Sequence, residues 1–243
     1  MLKSKKVLDA GCGVGRYIYN LSRTNPEDQY WGVDLGKSNI AEAVKNFPKI
    51  NFQQMSVDQL KFPDNFFDVV ISRDVLEHVD DPEIALSEMT RVMNLGGKLI
   101  IKIPGENSEQ WLLKVRPGYF AEIHHLRIFY GTQLEDMVIK HGYRMIKKEA
   151  QGFLDHFFLY FLFKTTVASE TQLALGTWKE HWWGWFVAPI HAFLKPELVF
   201  HTWLRFVPIW IVTLPIGYAI NAVGNRYMPK SIYYEFIKTI ELQ

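Results

Sequence analysis

Cysteine is almost missing from this chain: Cys12 stands alone among 243 residues. That excludes an intrachain disulfide framework and a zinc site built from cysteines. A surplus of one charge sign is missing as well, with 27 Lys and Arg against 26 Asp and Glu. Without a cationic surplus, a nucleic-acid backbone is not expected as the main partner. The basic start MLKSKK runs straight into charged and glycine-rich sequence, with no apolar stretch of signal-peptide length behind it. Export by that route is therefore not expected, and a cytoplasmic setting is. Internal repeats and low-complexity tracts are lacking too.

What is present, from Lys5 to Ile103, is an alternation of short apolar runs with helical patterns. KVLDA (6–10) reads as a buried strand ending at Gly11, and 15–23 as a helix with Tyr17, Ile18 and Leu21 on one face. YWGVD (30–34) is a second strand, followed by a helix to Asn46 for which Ser38 is the expected cap. Residues 50–55 and 67–72 read as the third and fourth strands. Pro82 opens a helix to Met93, and NLGG (94–97) reads as a stop-and-turn before a fifth strand, 98–103. A further helix is expected over 131–141, a sixth strand over 143–149 and a last one over 231–242. Strand–helix alternation at this spacing predicts an α/β fold, Rossmann-like and doubly wound. The expected sheet is seven-stranded and mostly parallel, with an aromatic-rich helical insertion before the last strand. Residues 1–151 form the core in this reading, 152–230 the insertion and 231–243 the closing strand.

The loop after the first strand is Asp9-Ala-Gly11-Cys-Gly13-Val-Gly15. Glycines there permit a tight turn and let a ligand approach main-chain N–H groups at a helix N-terminus. A dinucleotide fingerprint would carry its third glycine at position 16, which is Arg16. The motifs VLDAGCGVG, YWGVD, LKFPDNFFDVVIS, SRDVLEHVDDPE and LGGKLIIKIP, in this order, resemble the class I S-adenosylmethionine (SAM)-dependent methyltransferases, over roughly residues 5–150. The resemblance implies SAM as cofactor, with Asp9, Gly11 and Gly13 at its methionine end and Gly15 in the same loop. It implies Asp34 as the acid that accepts both ribose hydroxyls, followed by Leu35. Val57 and Asp58 would meet the adenine, and Arg73 and Asp74 would border the transferable methyl group. Relatives carry a helix or two before the first motif; here six residues precede Val7, and another segment is expected to supply the lid if the chain is whole.

Methyl transfer is an in-line displacement, so the enzyme mainly aligns and desolvates the acceptor. An oxygen or nitrogen acceptor that carries a proton gains from a general base, most often histidine. His78, in LEHVDDP, and His125, in EIHHLRIFYG, are the candidates. His125, Arg127 and Phe129 resemble a segment of methyltransferases acting on lipid-linked or glycan-type substrates. The bland alternative for each histidine, a loop hydrogen bond or a surface cap, remains open. The other histidines (141, 156, 181, 191 and 201) show no metal-ligand spacing with acids, so no metal is expected. Cys12 reads as a small structural residue of the loop.

The second half has a different composition. Six of the eight tryptophans fall between Trp178 and Trp210, and Phe206 to Asn225 is twenty residues without a formal charge. That length could span a bilayer, although Pro208, Pro215 and Asn221 weaken the reading. If 231–242 joins the same sheet as 143–149, the chain must return to the side it left, so a single crossing is impossible. Interfacial helices rich in Trp and Tyr and flanked by Lys and Arg fit both constraints. The sequence thus predicts a methyltransferase acting on an amphipathic or lipid-like acceptor, peripheral or monotopic at the inner face of a membrane. Two alternatives stand beside it: a soluble small-molecule O- or N-methyltransferase with the insertion as substrate lid, and a non-catalytic SAM-fold partner subunit.

Overall fold

The computed structural model describes residues 4–115, 117–152, 219 and 221–240. The sheet begins with β1 (Lys6–Ala10), whose last four residues are buried. Such a run suits a central strand covered on both faces. It lies between β2 (Gln29–Asp34) and β4 (Phe67–Arg73), parallel to both. β3 (Asn51–Gln54) extends the sheet beyond β2. β5 (Met93–Pro104) adds to β4 in parallel, and β7 (Ser231–Lys238) runs antiparallel beside β5, with β6 (Tyr143–Gln151) outermost. The order is β3-β2-β1-β4-β5-β7-β6 in seven strands. The mostly parallel doubly wound sheet expected from the sequence is therefore present. β6 and β7 share it, which meets the condition for an insertion that returns to the side it left.

Successive residues of a strand point to opposite faces, and the core follows that alternation. Leu8 and Val70 pack with Ala85, Leu86, Met89 and Val92 of α3 (Pro82–Val92) on one face. Their neighbours Val7 and Ile71 pack with Ile18 of α1 (Arg16–Thr24), Tyr30 and Ile50 on the other. Helix α3 starts where Pro82 places it: the Asp81 carboxylate accepts the Glu83 N–H at 2.8 Å, and Pro82 supplies the first-turn position that needs no donor.

Three local expectations are corrected. Ser38 does not cap α2 (Lys37–Asn46); Gly36 holds the cap position and makes no side-chain bond, while the acid two residues earlier takes up the Gly36 N–H. NLGG does not separate two elements. It bulges inside β5, where Phe67 pairs with Met93 but Val69 already pairs with Lys98. Two helices follow β5 before the expected one: α4 (Glu106–Val115) and α5 (Tyr119–Ile123), ahead of α6 (Gln133–Lys140). They matter for the site.

At the far end of the sheet Lys238 is buried, and its ammonium donates to the carbonyls of Thr90 at 2.9 Å and Met93 at 2.7 Å. The chain divides into two compact units, 1–149 with 231–243, and 150–230. Almost all of the aromatic-rich stretch expected to contact a membrane, including Phe206 to Pro215, lies outside the described residues. Among the described residues, no helix is long and apolar enough to cross a membrane.

Candidate active site

Strand order reverses between β1 and β4, and open α/β sheets bind ligands beyond the strand C-termini at such a point. The glycine loop sits there. Gly11 and Cys12 both donate their N–H groups to the Val33 carbonyl at 2.8 Å, which folds the loop back over β2. Gly11, Gly13 and Gly15 take φ of +86°, +53° and +78°, in the region where an L side chain is strained. They are required for different reasons. A Cβ on Gly11 would fall 2.3 Å from a methyl of Val75, and one on Gly15 would fall 2.5 Å from the Phe52 ring. A Cβ on Gly13 would meet nothing within 4 Å, so that glycine borders open space in which a ligand could lie against the main chain.

Asp34 ends β2 beside this loop. Its Oδ2 accepts the Gly13 N–H at 2.8 Å, and its Oδ1 accepts the Gly36 N–H at 2.8 Å and the Asn39 amide at 3.0 Å. The acid thus holds the glycine loop and the start of α2 in one register. A carboxylate offers about four acceptor sites, so one remains. Clamping two ribose hydroxyls requires the Asn39 amide to yield its place. Leu35, the next residue, is 70% exposed, an apolar side chain available to cover a flat ring. Val57 is buried in the core, so toward a ligand it offers its backbone. Asp58 Oδ1 is buried without a hydrogen-bond partner. Orphaned buried acceptors are rare, so this oxygen is free to accept from a donor on a ligand.

Asp9 is buried, and burial raises its carboxyl to about 7, against the opposing pull of the Arg73 guanidinium. That guanidinium stacks 3.8 Å over the Tyr17 ring. Asp74 sits at φ +54° and pairs with Lys102 at 2.7 Å, so Arg73 and Asp74 are both already engaged by neighbouring side chains. Cys12 is buried, and burial pushes its thiol far above the usual range, which keeps it an inert packing residue.

The two histidines singled out from the sequence, distant along the chain, meet in space. Their ring centroids are 4.7 Å apart at 74°. His125 donates from Nδ1 to Glu109 on α4 at 2.7 Å, and His78 donates from Nδ1 to the His124 carbonyl at 3.0 Å. Each ring is left with Nε2 for any further partner. Burial pulls the His78 imidazole below its ordinary value, favouring the neutral form. Arg127, one of the positions matching that segment of relatives, fastens the loop that carries His78, donating to the carbonyls of Leu76, Val79 and Asp80. Phe129 packs against the core.

Two residues went unread in the sequence. Glu77, 1% exposed, has both carboxylate oxygens buried without a partner, and burial, followed by the nearby Asp74, raises it to about 8. Glu109 lies on α4, a helix not expected from the sequence. The one available signal for Glu77 was its place between buried Leu76 and candidate His78, a charged residue in a stretch with no solvent-facing period.

Residues 8–101 match the family model described as a methyltransferase domain. Over these residues the chain is similar to the class I SAM-dependent methyltransferases. An uncharacterized methyltransferase of Schizosaccharomyces pombe is 37% identical to it over 111 residues, covering 41% of this chain and 40% of the relative. A ubiquinone biosynthesis O-methyltransferase of Idiomarina loihiensis is 31% identical over 120 residues, covering 47% of this chain and 48% of the relative. The chain thus spans less than half the length of either. Among solved structures, phosphoethanolamine N-methyltransferase 2 of Haemonchus contortus in complex with SAM shares the fold, with a TM-score of 0.59 and 18% identity over 99% of this chain and 50% of that one. SAM is the cofactor of the class. The crevice of this chain fits it in kind, with an open glycine cradle, an acid at the end of β2, an exposed apolar side chain after it and an orphaned acceptor beyond β3.

Proposed function

We propose that this chain transfers the methyl group of SAM to a small molecule, and that the acceptor is amphipathic and reached at a membrane surface. The observation that carries the first part is the glycine loop latched to Asp34, together with the orphaned Asp58 oxygen. When bound, SAM supplies an electrophilic methyl on a positively charged sulfur. The chain's own residues do the rest. Gly11 and Gly13 admit the methionine end against bare main chain, and ionised Asp9 holds its ammonium group. Asp34 accepts from the ribose, Leu35 covers the adenine, and Asp58 accepts from its amino group. Arg73 and Asp74 border the methyl.

On the acceptor side, His125 is the better base by geometry. Its Nδ1–H is committed to Glu109, which fixes the tautomer and leaves Nε2 to take the acceptor's proton. His78 stands beside it, and burial favours the neutral form of its ring. Alignment and exclusion of water supply the larger share of the rate.

Two considerations support an amphipathic acceptor. The stretch 153–218 concentrates tryptophan and uncharged apolar sequence, and interfacial helices are built from such sequence. One of the relatives bears the name of a methyltransferase of ubiquinone biosynthesis. The test is incubation of the full chain with isotopically labelled SAM and either a total lipid extract or the water-soluble metabolite fraction, read by mass spectrometry. A labelled lipid-phase product is expected. A product confined to the aqueous fraction, together with no co-flotation on liposomes, would return the insertion to the role of a soluble lid. No turnover in either fraction, with SAM bound, would make the chain a partner subunit.

A further inference from the structure

We propose that Glu77, His78 and His125 form a divalent-metal site of the two-histidine, one-carboxylate kind, with Glu109 orienting His125 from behind. Three observations converge. One ligand atom from each of the three residues lies within 4.8 Å of the others. Both Glu77 oxygens are buried without a partner, an arrangement that native structures avoid unless something absent satisfies them. Finally, both rings spend Nδ1 on an oxygen acceptor, His125 on Glu109 at 2.7 Å and His78 on a backbone carbonyl at 3.0 Å. That pattern is how metal-bound histidines are ordinarily held, since the outer bond fixes the tautomer and turns Nε2 toward the ion.

The ligand set suits Zn²⁺ or another first-row divalent cation. Two neutral imidazoles and one carboxylate make an open site in which the remaining position is left for a substrate oxygen or water. Bonds of about 2.1 Å in a tetrahedral site put ligand atoms roughly 3.4 Å apart, so the cluster must close somewhat. The movable member is the Glu77 carboxylate, whose oxygens have no hydrogen-bond partner, whereas His125 is pinned. His78 is the exposed member of the three, so the open position faces solvent. A cation there would bind an acceptor oxygen and make its proton more acidic. It would also occupy the Nε2 atoms that otherwise serve as base, so ligation and general-base catalysis are exclusive uses of one cluster. The site's purpose rests on the proposed acceptor side, but its existence does not.

The test uses the full untagged chain, stripped with a chelator and then titrated with Zn²⁺ by calorimetry and with Co²⁺ by visible absorption. One equivalent is expected to bind with a dissociation constant below about 10 μM, with intense Co²⁺ bands typical of low coordination number. Glu77→Gln and His125→Ala should each weaken binding at least 100-fold, Glu109→Gln about 10- to 100-fold, and His141→Ala not at all. SAM affinity, measured on the same samples, should be unchanged in every variant, which separates this proposal from the cofactor assignment. Absence of a stoichiometric site, or equal binding in Glu77→Gln and the unmodified chain, overturns it. Should a variant fail to fold, the Co²⁺ spectrum of the unmodified chain decides alone: weak six-coordinate bands overturn the proposal.

Discussion

The two halves of the crevice are built on different plans. On the β1–β2 side the contacts are mostly main chain: three left-handed glycines, N–H groups bound to Val33 and Asp34, and one acid that ties the loop to α2. On the β4–β5 side the contacts are side chains drawn from three separate stretches: the turn after β4 (Glu77, His78), helix α4 (Glu109) and the segment after α5 (His125). The first plan suits a ligand common to a family, because backbone geometry tolerates few sequences. The second leaves identity to side chains that can be exchanged without moving the backbone, as suits an acceptor that differs from one enzyme to another.

Substitutions that touch one half alone break or sharpen this contrast. The largest expected effect belongs to the acceptor side: His125→Ala should lower kcat by about 10²–10⁴-fold while SAM affinity, read by calorimetry, stays within twofold. A loss of SAM binding in that variant would erase the division. On the cofactor side Asp34→Ala should cost at least ~100-fold in SAM affinity, since a charged acceptor for hydroxyl and N–H donors disappears. Flotation on liposomes should be untouched by it.

Gly11→Ala should destabilise the fold by roughly 2–3 kcal/mol in chemical denaturation, because φ and the Val75 contact both oppose it. Gly13→Ala should cost about 1 kcal/mol of stability yet still impair SAM binding, its new methyl entering ligand space. Equal stability losses in the two variants would contradict the idea that the glycines serve different ends.

Asp9 provides a subtler probe. With its carboxyl raised to about 7, the folded protein keeps that proton over a range where the unfolded chain has released it. Stability of the ligand-free protein should therefore fall as pH rises from about 4 to about 7 and level off above. SAM carries an ammonium group that favours the ionised acid, so affinity should climb with pH up to about 7, by at most tenfold per unit. Asp9→Asn should flatten both profiles while weakening SAM, measured at pH 6 and pH 8. The smallest effect is expected from Arg127→Lys, which keeps charge but loses the planar fork gripping three carbonyls. A several-fold loss in kcat through displacement of His78, without a change in SAM affinity, would locate Arg127 on the acceptor side by action and not by contact.

The same contrast explains what the sequence revealed. KVLDA, YWGVD and FDVVIS announce buried parallel strands, and the glycine spacing with its following acid is a local pattern, so the cofactor half was readable from one stretch at a time. The bulge in β5 and the Gly36 cap were misread because glycine marks both turns and irregularities within elements. The acceptor half was half-visible. His78 and His125 were found as histidines, but their meeting depends on tertiary folding. Glu109 was missed together with α4, whose amphipathic face sits between a strand end and a short helix. Glu77 was passed over because nothing in a linear reading says that a glutamate beside a histidine will be dry.

The antiparallel β7 has a further consequence. Because it lies next to β6 in the sheet, the excursion from 152 to 230 leaves and re-enters the fold at adjacent strands. A loop tethered at neighbouring points is cheap to lengthen, at about 0.6 kcal/mol for each doubling. This corner of the sheet is therefore a socket: one excursion can be traded for another while β1 and β2, on the far side of β4 and β5, keep their register.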